Sequence, residues 1–302
     1  MGKLLLIDGN AILHRAYHAL PTLTNTKGEV VNAVYGFFSM LLTVGIDLRP
    51  EYFIVCFDMP KPTFRQAMFA GYQQHRPALA DDFVPQIVIV HEMLAAMGVA
   101  VFELDGYEAD DVIGTIGTQA VDLEVIILSG DRDLLQLVKR QVRVLSPVVG
   151  VKNTVLYDEE RVREKFGVDP SQFVDYKALV GDASDGYPGV AGVGPKTASS
   201  LLAKYGTFEN LYKHLGELPE RLGLKLATDA EQAALAKRLA TIVVDAPVTV
   251  DFEKCGVGEW KLADWVGVFE EQGFRSLAGR AKGFFGYYGK KMEKKEEQLG
   301  LL

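Results

Sequence analysis

The chain has 302 residues, 48% hydrophobic and 24% charged, which is enough for one large or two modest globular cores. It contains no run of eighteen apolar residues and no signal-peptide pattern, and Cys56 and Cys255 form no metal-type pair. This excludes a membrane span and a disulfide framework and fits the reducing cytoplasm. A net charge of −8 argues at first against nucleic-acid partners.

Taken in order, the apolar run 4–7 reads as a strand buried on both faces and ends in Asp8. A helix over 11–20 follows, with His14, Arg15 and His18 near its acidic start and Pro21 as its stop. Asn32 is placed as the cap of the next helix, whose Val34, Phe37, Phe38, Leu41 and Leu42 recur at helical spacing. The second apolar run, 53–57, ends in Asp58. Residues 59–85 change character: Pro60, Pro62, Pro77 and Pro85 bracket Lys61, Arg65, His75 and Arg76, interleaved with Phe64, Phe69 and Tyr72. Cations mixed with aromatics suit single-stranded nucleic acid, though an amphipathic surface helix has the same look.

A helix over 87–97 leads to a third strand at 99–102. The helix expected over 107–120 carries Glu108, Asp110 and Asp111 in its first turn, where acids also suit the helix dipole. The strand 125–128 then ends in Ser129-Gly130-Asp131-Arg132-Asp133, before a short helix at 134–138, a strand at 142–145 and an edge strand at 154–157. Asp158 caps a helix ending at Gly167, and Asp169-Pro170 opens the next. Residues 176–285 read as mainly helical, with Trp260 and Trp265 in the core. Their opening holds Gly189, Gly192 and Gly194, then Pro195-Lys196-Thr197-Ala198. Such a turn offers bare backbone N–H groups to a phosphate.

Ligands of open parallel sheets sit beyond the carboxyl ends of the strands. Asp8, Asp58, Glu108, Asp110, Asp111, Asp131 and Asp133 therefore converge on one sheet edge, and Asp182 and Asp185 can point at a common ion. Clustered carboxylates raise one another's pKa, and hard divalent cations such as Mg²⁺ or Mn²⁺ resolve the conflict. Setting these nine aside leaves 31 of the 40 acids against 32 basic residues, so net charge is no veto on a nucleic-acid partner.

The stretches LLLIDGN at 4–10, NAVYGF at 32–37, FD with TFR at 57–65, GYEADD at 106–111, GDRDLLQLV at 130–138 and GDASDGYPGVAGVGPKTA at 181–198 identify a family. Over about 1–280 the chain resembles the 5′-nuclease domain of bacterial DNA polymerase I, of the flap endonuclease superfamily. The resemblance implies a PIN-like α/β domain at 1–175, a mostly parallel sheet flanked by helices, with a helical arch over about 59–85. It implies a helix-three-turn-helix domain at 176–285 that grips duplex DNA, and leaves 286–302 as a flexible tail, whose mixed-charge run at 289–297 reads as solvated or loosely helical. It implies a 5′→3′ exonuclease and 5′-flap endonuclease using two or more Mg²⁺ or Mn²⁺ ions, with K⁺ at the helix-three-turn-helix. Asp8, Asp58, Glu108, Asp110 and Asp131 would surround one ion, with Asp111 in the same cluster. Asp133, Asp182 and Asp185 would build the second site with Asp131. Arg15, Lys61, Arg65, Tyr72, Gln73 and Arg76, the three turn glycines, Lys196 and Thr197 would meet DNA, with Arg76 at the reacting phosphate.

Two positions depart from the family. Its arch motif, Tyr-Lys-x-x-Arg, reads Tyr72-Gln73-Gln74-His75-Arg76 here, and Gly186 stands where Asn is usual, which would loosen that loop. The lost lysine leaves a non-catalytic junction binder as one rival, and a PIN-type ribonuclease as another. A 5′-flap substrate, a monomeric state and a sliding clamp bound through Gln298 to Leu302 complete the expectations.

Overall fold

The computed structural model describes residues 2–149 and 153–299, the side chains of 149, 153 and 289–299 excepted. The chain runs β1 (Gly2–Asp8), α1 (Gly9–Ala19), α2 (Asn32–Leu48), β2 (Tyr52–Cys56), α3 (Phe64–Met68), α4 (Val84–Ala96), β3 (Ala100–Phe102), α5 (Ala109–Gln119), β4 (Leu123–Leu128), β5 (Val142–Val149), β6 (Asn153–Tyr157) and α6 (Glu159–Phe166). It continues through α7 (Phe173–Val180), the small hairpin β7 (Gly181–Asp182) and β8 (Tyr187–Pro188), α8 (Pro195–Tyr205), α9 (Phe208–Lys213), α10 (Glu220–Thr228), α11 (Ala230–Ala240), α12 (Leu262–Glu271) and α13 (Arg275–Leu299).

The main sheet has the order β3-β2-β1-β4-β5-β6, and only β6 runs antiparallel. Strand order reverses between β1 and β4, the switch point at which open α/β sheets form their crevice. Asp8 ends one of those two strands and Asp131 follows the other by three residues. Successive side chains feed opposite cores, as the pleat requires. Leu4, Leu6, Ile54, Val125 and Ile127 pack with α5 and the helices α7–α8. Leu5, Ile7, Phe53, Val55, Ile126 and Leu128 pack with α2, α4, α12 and α13. Both sets are shut off from solvent, which explains the lack of alternation in the strands. A Cβ at Gly36 would stand 2.6 Å from Ala16 Cβ, so this glycine lets α1 and α2 approach closely.

Several details differ from the sequence reading. Asn32 is the first residue of α2 and caps nothing; its amide donates to the Tyr17 carbonyl at 3.0 Å, and its oxygen accepts from Gln86 at 3.2 Å. Residues 133–137 form a 3₁₀ turn because Asp131 Oδ1 accepts the Asp133 N–H at 2.8 Å. Trp265 is fully buried, with Nε1 donating to the Met97 carbonyl, so α12 and the start of α13 close the core above the sheet. The backbone of α13 continues through 286–299 as helix, one of the two forms read for the mixed-charge run. The clamp peptide lies outside the described residues: nothing is described of 300–302 or of the Gln298 and Leu299 side chains. Among the described residues, no helix is long and apolar enough to cross a membrane.

Candidate metal centre and nucleic-acid interface

A cavity of about 1080 Å³ opens at the switch point, lined by Asp8, Asp58, Glu108, Asp110, Asp131, Asp133 and Asp185. Asp8 is held twice: it caps α1 by accepting the Ala11 N–H at 2.9 Å, and it accepts the Ser129 hydroxyl at 2.6 Å. Asp58 accepts the Ala109 N–H at 2.7 Å, which fixes the start of α5 against the end of β2. Burial pushes the Asp8 carboxyl up to about 7, with the Asp58 and Asp131 charges adding to the effect. Burial likewise lifts Glu108 to about 7 and Asp110 well above the carboxylate range.

On the facing side, Asp133, Asp182 and Asp185 each bring an oxygen within 4.8 Å of the others. Burial raises Asp133 to about 7 despite the Lys177 ammonium, which pairs with both Asp133 and Asp182. Asp182 stays below the usual range: burial opposes this, but Lys177 and Ser184 hold the charged form. An all-oxygen donor set, buried or half-buried, with several members destabilised when charged, fits hard divalent ions.

The structure removes two residues from the expected roles and supplies the reason. Arg65 and Asp111 are buried, 2% and 0% exposed, and face each other. The guanidinium makes a bidentate pair with Asp111 at 2.7 and 2.8 Å and donates to the Leu239 and Thr241 carbonyls at 2.9 and 2.8 Å. Asp111 also accepts the Glu108 and Val243 N–H groups. Four of the five Arg65 N–H groups are thus spent inside the protein, Nη1 also lies 3.3 Å from Glu108, and the Asp111 charge is matched by the guanidinium; the two fasten α3, α5 and the end of α11 together. The sequence signal was one of spacing: Asp111 is the third residue of α5, and its carboxylate turns back to the Glu108 N–H as a capping partner, away from the cavity.

Tyr72 is also unavailable to a base, being 5% exposed, stacked on Tyr187 and donating to Glu108 at 3.1 Å. Gln73 and Arg76 line the cavity but converge on Asp185, at 3.3 and 2.7 Å, while the Gln73 N–H donates to the Asp185 carbonyl at 2.8 Å. Arg15 lines the cavity too. Exposed Lys61 pairs with Asp105 at 2.6 Å. Gly186 occupies a left-handed backbone position with little room for a side chain. With φ +77° it lies so near Gly71 that a Cβ would stand 3.0 Å from that carbonyl.

The turn glycines divide. Gly189 is buried against Gly181, where a Cβ would meet the Gly181 nitrogen at 2.4 Å, so it packs backbone on backbone and is not presented to DNA. Gly192, at φ +74°, is exposed, and Gly194 is the cap position before α8 with open space beside it. Lys196 is exposed on the first turn of that helix. Sequence reasoning missed Lys225, whose Nζ would stand 2.4 Å from a Cβ at Gly192. It lies 33 residues away on α10, and only folding brings it to the turn.

Two adjoining family models match residues 3–263: 5′-3′ exonuclease, N-terminal resolvase-like domain, over residues 3–167, and 5′-3′ exonuclease, C-terminal SAM fold, over 168–263. The chain belongs to the 5′-3′ exonuclease family. DNA polymerase I of Bacillus caldotenax is 41% identical over 278 residues, 91% of this chain and 32% of that protein. DNA polymerase I of Bacillus subtilis is 38% identical over 281 residues, 92% of this chain and 32% of that protein. The chain thus spans about a third of the length of these relatives. Among solved structures, T5 5′-exonuclease with bound zinc superposes with a TM-score of 0.67 at 19% identity, over 94% of this chain and 98% of that one. The catalytic core of Rad2 in complex with DNA substrate gives 0.60 at 17%, over 94% and 92%. The α/β sheet with its helical C-terminal part is therefore the fold of these nucleases.

The raised carboxyls give a direct test of the centre. Asp8, Glu108 and Asp133 bind protons more tightly folded than unfolded, so the stability they contribute is full below about pH 4 and lost as pH rises through about 7. With chelator present, the melting temperature should fall from pH 5 to pH 8; adding Mg²⁺ at pH 8 should restore it, since binding the native state stabilises it. A flat profile without metal would mean the carboxylates are not crowded in solution.

Proposed function

We propose that the chain hydrolyses DNA phosphodiesters as a 5′→3′ exonuclease and as a structure-specific 5′-flap endonuclease, using Mg²⁺ or Mn²⁺. The observation that carries this reading is a single cavity joining two groups of buried and half-buried carboxylates, with an exposed glycine-lysine turn on the adjoining helical part. Asp8, Asp58, Glu108, Asp110 and Asp131 would hold one ion; Asp131, Asp133, Asp182 and Asp185 would hold the other. Bound ions would supply an activated water and neutralise charge on the attacking and leaving oxygens. The protein's own part is to fix the carboxylates through Ser129, Ala11 N–H and Ala109 N–H, and to bring Arg15 and Arg76 to the same cavity as cations for the phosphate. The turn at Gly192–Lys196, with Lys225 beside it, would hold duplex backbone without reading sequence.

Cleavage of a 5′-flap duplex in Mg²⁺, leaving 5′-phosphate and 3′-hydroxyl ends, tests the proposal. No cleavage, or equal cleavage of an RNA flap, would overturn it. Lys196→Ala should weaken flap binding for every sequence and lower the slope of log affinity against log salt by about one unit; Lys225→Ala should do the same if it meets a phosphate. Equal slopes in mutant and wild type would place the DNA elsewhere.

Gln73 gives a further expectation. An amide at this position is a weaker partner for a phosphate than an ammonium, and one preorganised group is worth about 10²–10³-fold in rate. Gln73→Lys should therefore raise the single-turnover rate on one flap substrate. An unchanged rate would show that Arg15 or Arg76 already fills the role.

A further inference from the structure

Away from the carboxylates, the same cavity is lined by His14, His18 and Phe83. His14 and His18 lie four apart on α1, so one helical turn stacks them on one face. Their Nε2 atoms are 3.3 Å apart. Two nitrogens each bound at about 2.0–2.1 Å to a tetrahedral ion stand about 3.3–3.4 Å apart. The rings are held from outside the pair. Phe83 meets His14 edge-on at 5.8 Å, and Tyr17 meets His18 edge-on at 5.1 Å. Tyr17 is in turn fixed by Phe83 at 4.9 Å and by its hydroxyl donating to Asp82 at 2.7 Å.

We propose that His14 and His18 form a second kind of metal site, a bis-imidazole chelate for a borderline divalent transition ion such as Zn²⁺, Co²⁺ or Ni²⁺. Imidazole nitrogen favours these ions, whereas the all-oxygen centre favours Mg²⁺ and Mn²⁺, so ligand chemistry separates the two sites within one cavity. Burial, His18 and Arg76 all hold His14 toward its neutral form, which is the ligating form. Two protein ligands leave the remaining positions of the ion open to water or to an oxygen of whatever enters the cavity. The site stands on its own, independent of the reaction proposed above. A plain N–H···N hydrogen bond between the rings is the competing account of the same distance.

The test is titration of the full chain with Zn²⁺ in a large excess of Mg²⁺, read by calorimetry and by the imidazole NMR resonances of the five histidines. One Zn²⁺ should bind and move the His14 and His18 ring signals alone. His14→Gln and His18→Gln should each weaken it about a hundredfold, as loss of one arm of a chelate does, while circular dichroism stays unchanged. Asp131→Asn should leave it intact. Zinc binding that survives both histidine changes, is lost in Asp131→Asn, or leaves the two rings unmoved would overturn the site.

Discussion

Asp131→Asn is expected to lower single-turnover cleavage of a 5′ flap by at least about 10³-fold while flap binding in Ca²⁺ stays unchanged. Asp131 follows the strand at the switch point, and its charge bears on Asp8, Asp58 and Asp110 on one side and on Asp133 and Asp185 on the other. No other acid in the cavity acts so evenly on both groups. Its Oδ1 also accepts the Asp133 N–H, and its own N–H donates to Ser129, the residue that holds Asp8. Asparagine can keep the Asp133 bond through its carbonyl oxygen but brings no charge. The helix-hairpin turn lies on a different element, so DNA grip should survive. A mutant cleaving within tenfold of wild type would disprove the bridging role.

Arg65→Ala is expected to cost about 3–5 kcal/mol of stability, read as a lower urea midpoint, because it strands the buried Asp111 charge. Four hydrogen bonds from one guanidinium go to Asp111, Leu239 and Thr241, and its Nη1 also lies 3.3 Å from Glu108. The double change Arg65→Met with Asp111→Leu should recover most of the loss, since an apolar pair of similar size often replaces a buried ion pair at little cost. A single change costing under about 1 kcal/mol would mean the pair is wet in solution.

The parts legible in the sequence were those written locally. Short apolar runs ending in acid gave β1, β2 and β4 with Asp8, Asp58 and Asp131, because a buried strand and its terminal side chain are adjacent in the chain. Asp158 and Gly167 announced both ends of α6, since caps act over three or four residues. What the sequence hid was partnership across distance. Arg65 and Asp111 looked like a nucleic-acid cation and a metal ligand because composition shows charge and not where its counter-charge sits. Gly189 and Gly192 look alike in a glycine-rich run, yet one packs on Gly181 and the other faces solvent beside Lys225. The run of mixed charge at 289–297 suits solvated coil and solvated helix equally, and the backbone there is helix.

The Arg76–Asp185 contact, at 2.7 Å, ties to each other the two side chains that the proposed ion and the proposed strand would take, one each. On the proposed reading, an ion drawing on the Asp185 carboxylate and a phosphate drawing on the Arg76 guanidinium would each break this one pair. Whichever arrives first removes the cost of that rupture for the second. Thermodynamic reciprocity would then fix the result of the proposed binding: the factor by which a divalent ion tightens the strand would equal the factor by which the strand tightens the ion, and the pair would act as a coincidence gate on the loaded state.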